Sequence, residues 1–518
     1  MDSSTTQIPQ LPSFPLLLTS LLFFLMLVKY WKQSEGGKGK LPPGPKPLPI
    51  IGNLHQLSSH GLGLPHHAVT KFCNKYGPVM KLQLGQLVAV IISSPEAAKE
   101  VLKTNESSFA QRPEVYAVEV MSYDHSSIVF SPYNDYWRQL RKISVLELLS
   151  AKRVQSFKSI REDEVWDLVE FIASSERQCI NLSKHIFAMT NNVVSRAAFG
   201  KKCKDQHDFT RLLQEIMQLA GGFDVADLFP SLTFLRSLTG MKPALLKIQK
   251  KIDRILEDIV VEHQMKRKDA ASGINAEKPD GDDLVDTLLN YAEANDHDID
   301  FRLTIDQVKA VTMDIFSAGS ETSATSMEWA MSELLKNPRV MKKAQKEIRG
   351  ACKGKSRIEE ADIQKLDYLK AIIKETFRLH PPGPLIPREA RETCEIRGYR
   401  VPAKAKILIN VYAMGRDPAI WSDPESFYPE RFEGSFIDFK GNHFELLPFG
   451  GGRRICPGIS FATANIELGL AQLLYHFNWK PGNGIKLEDL DMGENFGMTA
   501  RKKENLLVIA TTHIPFRK

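Results

Sequence analysis

The chain is poor in the cysteine patterns that mark small secreted or metal-binding domains. Its six cysteines are far apart, and no two of them have a C-x-x-C spacing. They are Cys73, Cys179, Cys203, Cys352, Cys394 and Cys456. This scatter gives no case for a disulfide framework or a zinc site, and it is typical of a protein in a reducing compartment.

A long block of one charge sign, an internal linker and a sequence repeat are also missing. The formal net charge is +6 over 518 residues, of which 43% are hydrophobic. A modest charge without a basic block indicates no nucleic-acid partner. The length would allow several domains, but without a linker or a repeat we expect one large globular body.

The only membrane signal lies at the N-terminus. Residues 11–28 form an apolar stretch of about the minimum length that spans a bilayer. It lacks the positive leader and the cleavage site of a secretory signal, and several lysines follow it from Lys29 onward. Because basic flanks stay in the cytosol, we predict one transmembrane helix followed by a cytosolic body. The predicted domains are a membrane anchor at 1–30, a basic and proline-rich hinge at 31–47, and the globular domain at 48–518.

The body reads as mainly helical with small β-sheets. Residues 81–92 predict two strands around Gly85, and the pattern from about 154 to 349 is mostly helical. Extended segments return at 395–410 and near 506–510. We therefore predict a mainly α fold with small sheets.

The longest predicted helix has a weak point in its middle. Thr304 and Gln307 resemble a capping box, and the helical pattern continues to Asn337. About 32 residues at 1.5 Å each give a rod of about 48 Å. The segment at 318–323 reads A-G-S-E-T-S. Glycine there costs about 1 kcal/mol relative to alanine, and Ser and Thr compete for backbone hydrogen bonds. Either this segment has a function or it is a polar face in contact with solvent.

The most informative segment is P-F-G-G-G-R-R-I-C-P-G at 448–458. It presents Cys456 from a glycine-rich turn just before a helical pattern. A metal-binding thiolate needs an electropositive niche such as a helix N-terminus, and Arg454 could meet an anionic haem propionate. A lone cysteine is more often a buried structural residue. However, the five-residue pattern F-x-x-G-x-R-x-C-x-G arises by chance only on the order of once in ten thousand such chains.

This loop resembles the haem-binding loop of the cytochrome P450 superfamily, and the matching motifs extend over essentially the whole chain. The resemblance implies the cytochrome P450 fold, a bound haem b (iron protoporphyrin IX) and Cys456 as the iron ligand. Trp137 and Arg141 match a W-x-x-x-R segment whose members contact haem propionates, and Arg388 falls where many relatives have another propionate-binding residue. The implied haem-binding residues are Trp137, Arg141, Arg388, Phe449, Arg454 and Cys456.

The middle of the long helix resembles the oxygen-activation motif of the same superfamily. The resemblance implies that the helix opens beside the iron to admit O2, that Thr322 hydrogen-bonds the oxygen, and that Glu321 relays protons. Heterolytic cleavage of O2 takes two protons, a task that suits an acid and an alcohol. Glu375, Arg378 and Arg431 match a superfamily network that supports the haem loop.

L-P-P-G-P at 41–45 and F-R-L-H-P at 377–381 are among the details that resemble plant microsomal members of the A-type group. Such members are single-pass proteins of the endoplasmic reticulum membrane with a cytosolic monooxygenase domain. Because the chain has no dinucleotide or flavin motif, its electrons should come from NADPH through NADPH-cytochrome P450 reductase. Arg138, Lys142 and Arg453 are candidates for the docking face; solvated charges are the alternative.

The predicted substrate pocket is apolar. By analogy with the A-type group its lining comes from Val118, Val120, Met121, Ile128, Phe223, Val311, Ile315, Phe316, Leu385, Ile386, Phe496 and Met498. We therefore predict hydroxylation of a hydrophobic plant metabolite, with a terpenoid as the first candidate and an alkaloid or a phenolic or flavonoid as alternatives. A non-enzymatic haem-thiolate sensor is the alternative of another class, and it would need neither the acid-alcohol pair nor a reductase.

Overall fold

The computed structural model describes most of the chain beyond the N-terminal segment. The described residues are 39–57, 64–203, 206–221, 225–232, 234–238, 240–272, 282–293, 301–495 and 497–515. The predicted anchor at 1–30, the first part of the hinge, Phe223 and Phe496 lie outside them. Within these ranges, none of the helices combines the length and the hydropathy of a bilayer-spanning segment.

Helices make up most of the described structure, as predicted. The α-helices are Leu54–Leu57, Pro65–Tyr76, Pro95–Lys99, Glu106–Phe109, Tyr116–Met121, Asp135–Ile143, Ala151–Ser156, Lys158–Ser174, Leu182–Phe199, Gln206–Gly221, Val225–Leu228, Leu235–Leu238, Met241–Ala271, Leu284–Glu293, Ile305–Lys336, Pro338–Ala351, Glu360–Ile363, Asp367–Leu379, Val411–Met414 and Ile459–His476. Short π-helices lie at Glu100–Thr104 and Ser144–Leu148, and 3-10 turns at Pro429–Phe432, Gly452–Arg454 and Leu487–Asp489.

The strands form three small sheets. In chain order they are β1 Val79–Leu84, β2 Leu87–Ile92, β3 Cys179–Asn181, β4 Leu385–Glu389, β5 Cys394–Ile396, β6 Tyr399–Val401, β7 Lys406–Asn410, β8 Phe477–Pro481 and β9 Leu507–Thr512. The largest sheet has the order β1-β2-β7-β4, in which only β2 and β7 are parallel. The other sheets are β3-β9-β8 and β5-β6.

Most of the predicted extended segments are confirmed. β1 and β2 form a hairpin at Gly85, whose φ of +59° is a conformation that favours glycine. The segments predicted at 395–410 and 506–510 correspond to β5 to β7 and to β9. Strands β3, β4 and β8 were not predicted, because each is short and is formed by pairing with a strand distant in sequence.

The helix Ile305–Lys336, which we call the long helix, passes through the centre of the helical core. Its predicted capping box is confirmed: the Thr304 backbone N–H donates to Gln307 Oε1 at 2.9 Å, and the Gln307 N–H donates to Thr304 Oγ1 at 3.2 Å. The long helix packs against Leu182–Phe199 on one side and Ile459–His476 on another. Most of its residues are buried, which is why its sequence shows little amphipathic pattern.

A buried ion network joins the helix Asp367–Leu379 to the segment that leads to the cysteine loop. Glu375 accepts hydrogen bonds from Arg378 Nε at 2.7 Å and from Arg431 Nε at 3.0 Å. Both side chains of the Glu375–Arg378 pair have 0% exposure. Arg378 also donates to backbone carbonyls, including that of Pro424 at 2.7 Å. The predicted network of three residues is therefore confirmed.

We expect Arg378→Ala to destabilise the protein by about 3–5 kcal/mol, because it leaves the buried Glu375 carboxylate without its closest cation. Arg339→Ala is the matched control. It removes a pair with Glu430 whose arginine side chain is 59% exposed, and such pairs contribute under about 1 kcal/mol. Thermal unfolding of both variants at one heating rate measures the difference. Equal midpoints would contradict the structural role of the network.

Candidate active site

The loop that presents Cys456 depends on glycine at two positions. Gly450 and Gly452 have φ angles of +71° and +67°, in the left-handed region. A Cβ atom on Gly452 would lie only 2.0 Å from the carbonyl oxygen of Leu102. The loop therefore lies directly against the π-helix Glu100–Thr104. The α-helix that follows the loop begins at Ile459, three residues after the cysteine.

The thiol of Cys456 has two groups beside it that favour its anion. The backbone N–H of Gly458 donates to Sγ at 3.3 Å, and the positive charge of Arg141 acts in the same direction. Burial is the larger effect, so the pKa of the Cys456 thiol is raised overall. A metal cation bound to the sulfur would reverse this balance, since coordination deprotonates a thiol.

Four arginines surround the cavity next to Cys456: Arg112, Arg141, Arg388 and Arg454. All the hydrogen bonds found for their guanidinium groups go to backbone carbonyls. Arg141 donates to Ile455 O at 2.6 Å, Arg454 to Ala110 O at 2.5 Å and Ser131 O at 2.6 Å, Arg112 to Val129 O at 2.9 Å and Pro387 O at 2.7 Å, and Arg388 to Pro387 O at 2.9 Å.

These arginines destabilise one another's charges. Burial, followed by repulsion from Arg112 and Arg454, holds the pKa of Arg388 well below its ordinary value. Burial and the charges of Arg112 and Arg141 lower the pKa of Arg454 to about 8. Nη2 of Arg388 is buried without a hydrogen-bond partner. A cluster of this kind fits an anionic ligand with carboxylate or phosphate groups.

Trp137 and Phe449 are placed beside this cluster. The indole N–H of Trp137 donates to the Ile128 carbonyl at 3.0 Å, and its ring lies 4.4 Å from the guanidinium of Arg454. The propionate contact that the resemblance implied for Trp137 stays a prediction. Phe449 packs its ring against Phe377, and its carbonyl accepts from the Cys456 N–H at 3.0 Å.

The long helix is α-helical throughout its middle, so the opening that the resemblance implied is not found in this structure. Thr322 Oγ1 donates to the Ala318 carbonyl at 2.8 Å, a bond that leaves the helix ladder intact. The glycine in this segment has a packing reason, because a Cβ on Gly319 would lie 3.1 Å from Val194 on a neighbouring helix. Close packing between two helices thus explains why glycine is present at the predicted weak point.

Thr322 and Glu321 face different surroundings. Thr322 lines the cavity together with Ala318 and Cys456. Glu321 is directed towards the C-terminal segment, where burial raises the pKa of its carboxyl while Arg501 and a hydrogen bond with Thr499 oppose the rise. The two residues are adjacent in the chain, but only Thr322 is among the residues that line the cavity.

The cavity has a volume of about 980 Å³ and is largely apolar. Six of the predicted apolar residues line it: Val118, Ile128, Ile315, Leu385, Ile386 and Met498. Val120, Met121, Val311 and Phe316 do not, so these four predictions were wrong. The ring of Phe316 instead stacks on Phe199 and Phe209 in the helical core, because it lies on another face of the long helix.

Several lining residues were missed. Part of the cavity is lined by leucines from the helix Leu54–Leu57, the β1–β2 hairpin and β7: Leu54, Leu57, Leu84, Leu87 and Leu408. Two half-buried charged residues, Arg112 and Asp314, also line it. The expectation that no cation stands in the pocket was wrong for this reason. Arg112 lies in a loop where sequence gives no periodicity to follow.

A family model described as Cytochrome P450 matches residues 42–508. The chain belongs to the cytochrome P450 family. As a P450 it is a monooxygenase, and its most similar relatives are plant enzymes of the A-type group.

Melianol synthase of Ailanthus altissima is 75% identical to this P450 over 519 residues, which are 100% of this chain and 99% of that one. Melianol synthase of Citrus sinensis is 75% identical, with 100% of both chains covered. Premnaspirodiene oxygenase of Hyoscyamus muticus is 51% identical, covering 96% of this chain and 98% of its own. A zebra fish cytochrome P450 solved with progesterone has a TM-score of 0.73 at 24% identity, covering 86% of this chain and 99% of that one, and supports the fold.

The P450 family implies a haem, and the residues present fit one. Cys456 offers a thiol at the edge of the cavity, and glycines let the backbone of its loop approach closely. The arginine cluster carries excess positive charge with one unpartnered buried Nη2, at Arg388. The two propionates of haem b would supply negative charge to this cluster.

Removing one arginine should have opposite effects on the haem-free and haem-loaded P450. In the haem-free protein, Arg388→Met removes a repelled buried cation and should raise the thermal midpoint. In the loaded protein it removes a charged hydrogen bond worth about 1.5–3 kcal/mol, so haem transfer to apomyoglobin should become at least about tenfold faster.

Arg391→Met is the control, because Arg391 is exposed just beyond the end of β4 and should leave both quantities unchanged. A lower midpoint of haem-free Arg388→Met would contradict the repulsion within the cluster. Unchanged haem transfer would contradict the role of Arg388 in binding a propionate.

Proposed function

We propose that this P450 is a membrane-anchored haem-thiolate monooxygenase that oxidises a triterpenoid, with melianol or a close relative of it as product. The observation that carries the proposal is the 75% identity, over the whole chain, to two enzymes named melianol synthase. The large apolar cavity supports it, because a triterpenoid offers mainly apolar surface to bury.

In this proposal the Cys456 thiolate would bind the haem iron, and Arg112, Arg141, Arg388 and Arg454 would hold the haem propionates. When bound, the haem activates O2 and inserts one oxygen atom into a C–H bond, a reaction that electron donation from a thiolate ligand favours. The protein excludes water from this reaction by lining the substrate side with leucine, isoleucine and valine. Phe449 and the Glu375 network keep the loop in place.

Thr322 and Glu321 have the proposed task of moving protons. Reduction of one oxygen atom of O2 to water consumes two protons and two electrons. The hydroxyl of Thr322 lies at the cavity surface and can donate a proton towards it after releasing the Ala318 carbonyl. Glu321 bonds Thr499 and lies close to Arg501, and in this proposal it reprotonates Thr322 with a proton that comes from outside the cavity.

The electrons come, in this proposal, from NADPH through NADPH-cytochrome P450 reductase. Arg138, Lys142 and Arg453 are exposed basic residues near the Cys456 loop. Arg453 and Arg138 already pair with Glu106 and Asp135. Because these pairs are solvent-accessible, acidic groups of a partner protein can take the place of Glu106 and Asp135 at little cost in free energy.

The proposed location is the endoplasmic reticulum membrane, with residues 1–30 as a single-pass anchor, 31–47 as the hinge and 48–518 in the cytosol. The apolar run at 11–28 and the lysines after it support this topology. Protease added to intact microsomes should digest the body of the chain. Asn105 and Asn181 each begin an N-x-S glycosylation sequence, and in the cytosol neither should carry a glycan. Protection from the protease would place the domain in the lumen.

The substrate proposal is tested with microsomes that contain the P450 and a plant reductase. We expect NADPH-dependent oxygenation of a triterpene alcohol, with products compared with authentic melianol by mass spectrometry. A sesquiterpene, an alkaloid and a phenolic serve as competing substrates. Cys456→Ser is the inactive control, and its reduced carbon monoxide complex should lose the red-shifted Soret band of a thiolate-ligated haem. Oxygenation of the phenolic or alkaloid alone would reject the triterpenoid proposal.

Thr322→Ala should separate haem binding from productive oxygenation. The variant should keep the thiolate spectrum and substrate binding, because neither the cysteine loop nor the apolar lining changes. Loss of the proton donor should lower organic product per NADPH and raise hydrogen peroxide, with the chemical step slowed by about 10²-fold or more. Ser332→Ala removes a buried hydroxyl of the same helix that donates to the Glu328 carbonyl and is not among the residues that line the cavity; it is the control and should keep the coupling. Unchanged coupling in Thr322→Ala would show that its hydroxyl only caps Ala318.

A further inference from the structure

Asp314 is a charged residue of the long helix that neither the sequence motifs nor the proposed proton path uses. Asp314, Ala318 and Thr322 follow one another at intervals of four residues, so they lie on one face of the helix. All three line the cavity. Asp314 thus stands on the substrate side, about two turns from the hydroxyl of Thr322.

The carboxylate of Asp314 binds a short irregular segment, residues 127–129. The backbone N–H of Val129 donates to Oδ2 at 2.9 Å. The Ser127 hydroxyl and the Ile128 N–H also bond the carboxylate, and Arg112 is the nearby cation. Burial is the larger effect and raises the pKa of Asp314 to about 7. Tyr136, on the neighbouring helix, is the other titratable group whose charge it influences.

The same segment binds the arginine cluster with its carbonyl groups. The Ile128 carbonyl accepts the Trp137 indole N–H at 3.0 Å. The Val129 carbonyl accepts from Arg112 Nε at 2.9 Å and from Arg454 Nη1 at 3.5 Å. Donors of residues 127–129 therefore point to Asp314, while their acceptors point to the groups proposed to hold the haem propionates. The side chain of Ile128 also lines the cavity.

We propose that Asp314 is a positioning residue that fixes residues 127–129 and thereby sets both the cavity wall at Ile128 and the orientation of Arg112, Arg454 and Trp137. The second part of this inference rests on the proposed haem site. Three donors converge on the carboxylate, and an amide in its place would offer a single acceptor oxygen and turn an NH2 group towards some of them. Asp314→Asn should therefore loosen the segment although it preserves the shape of the side chain.

The test compares Asp314→Asn with Asp306→Asn in the haem-loaded enzyme. Asp306 lies on the same helix, and its side chain is 69% exposed in a pair with Lys309. Hydrogen exchange followed by mass spectrometry measures the amides of residues 127–130 without any substrate. At a pH above the pKa of Asp314, we expect exchange there to become at least about tenfold faster in Asp314→Asn, as for a lost charged hydrogen bond, and to stay unchanged in Asp306→Asn.

Two further readouts distinguish positioning from a general loss of stability. Asp314→Asn should transfer haem to apomyoglobin faster, and it should raise KM more than it lowers kcat, because the wall is displaced while Thr322 and Cys456 remain. Ser127→Ala, which removes one of the three donors, should shift the same quantities in the same direction by less. It keeps the proposal testable if Asp314→Asn does not fold.

Unchanged exchange at 127–130 in both variants would overturn the inference. Faster exchange with unchanged haem transfer and unchanged KM would also overturn it, since the segment would then be loose without consequence for the site. A failure of the haem site itself is recognised separately, because Cys456→Ser would then keep the thiolate spectrum. Failure of the triterpenoid proposal leaves the exchange and haem-transfer measurements unaffected.

Discussion

The structure depends on a concentration of positive charge that the protein itself neutralises only in part. Arg112, Arg141, Arg388 and Arg454 are held against backbone carbonyls around one cavity, and the pKa of each is lowered chiefly by burial. Each lowered pKa shows that the surroundings oppose the positive charge, and an anion that enters the cavity would favour the charged form of these groups. Stability and cofactor binding are therefore two aspects of one interaction.

Motifs within one short segment could be predicted from the sequence. The way in which segments far apart in the chain come together could not. Glu375 and Arg378 are three residues apart on one helix, so their pairing follows from helical geometry. The cluster, in contrast, combines a loop at Arg112, a helix at Arg141, strand β4 at Arg388 and the cysteine loop at Arg454. Three of these matched known motifs, whereas Arg112 had no pattern around it.

The long helix illustrates a second limit. Its cap, its length and its unusual middle were all predicted, but periodicity does not tell which face meets the cavity when most faces are buried. Ile315 was placed correctly, whereas Val311 and Phe316 were not. The glycine at 319 has a neighbour, Val194, about 125 residues earlier in the chain, and a contact of that kind leaves no trace in the local sequence.

Strand β9, at Leu507–Thr512, is the middle strand of the sheet β3-β9-β8. Its partner β3 is made more than three hundred residues earlier, and the Leu506 N–H also bonds the hydroxyl of Ser183 in the core. During synthesis, β3 therefore leaves the ribosome more than three hundred residues before the strand that pairs with it. The domain can complete this sheet only after β9 has been synthesised, and until then it must avoid aggregation while apolar surfaces stay exposed.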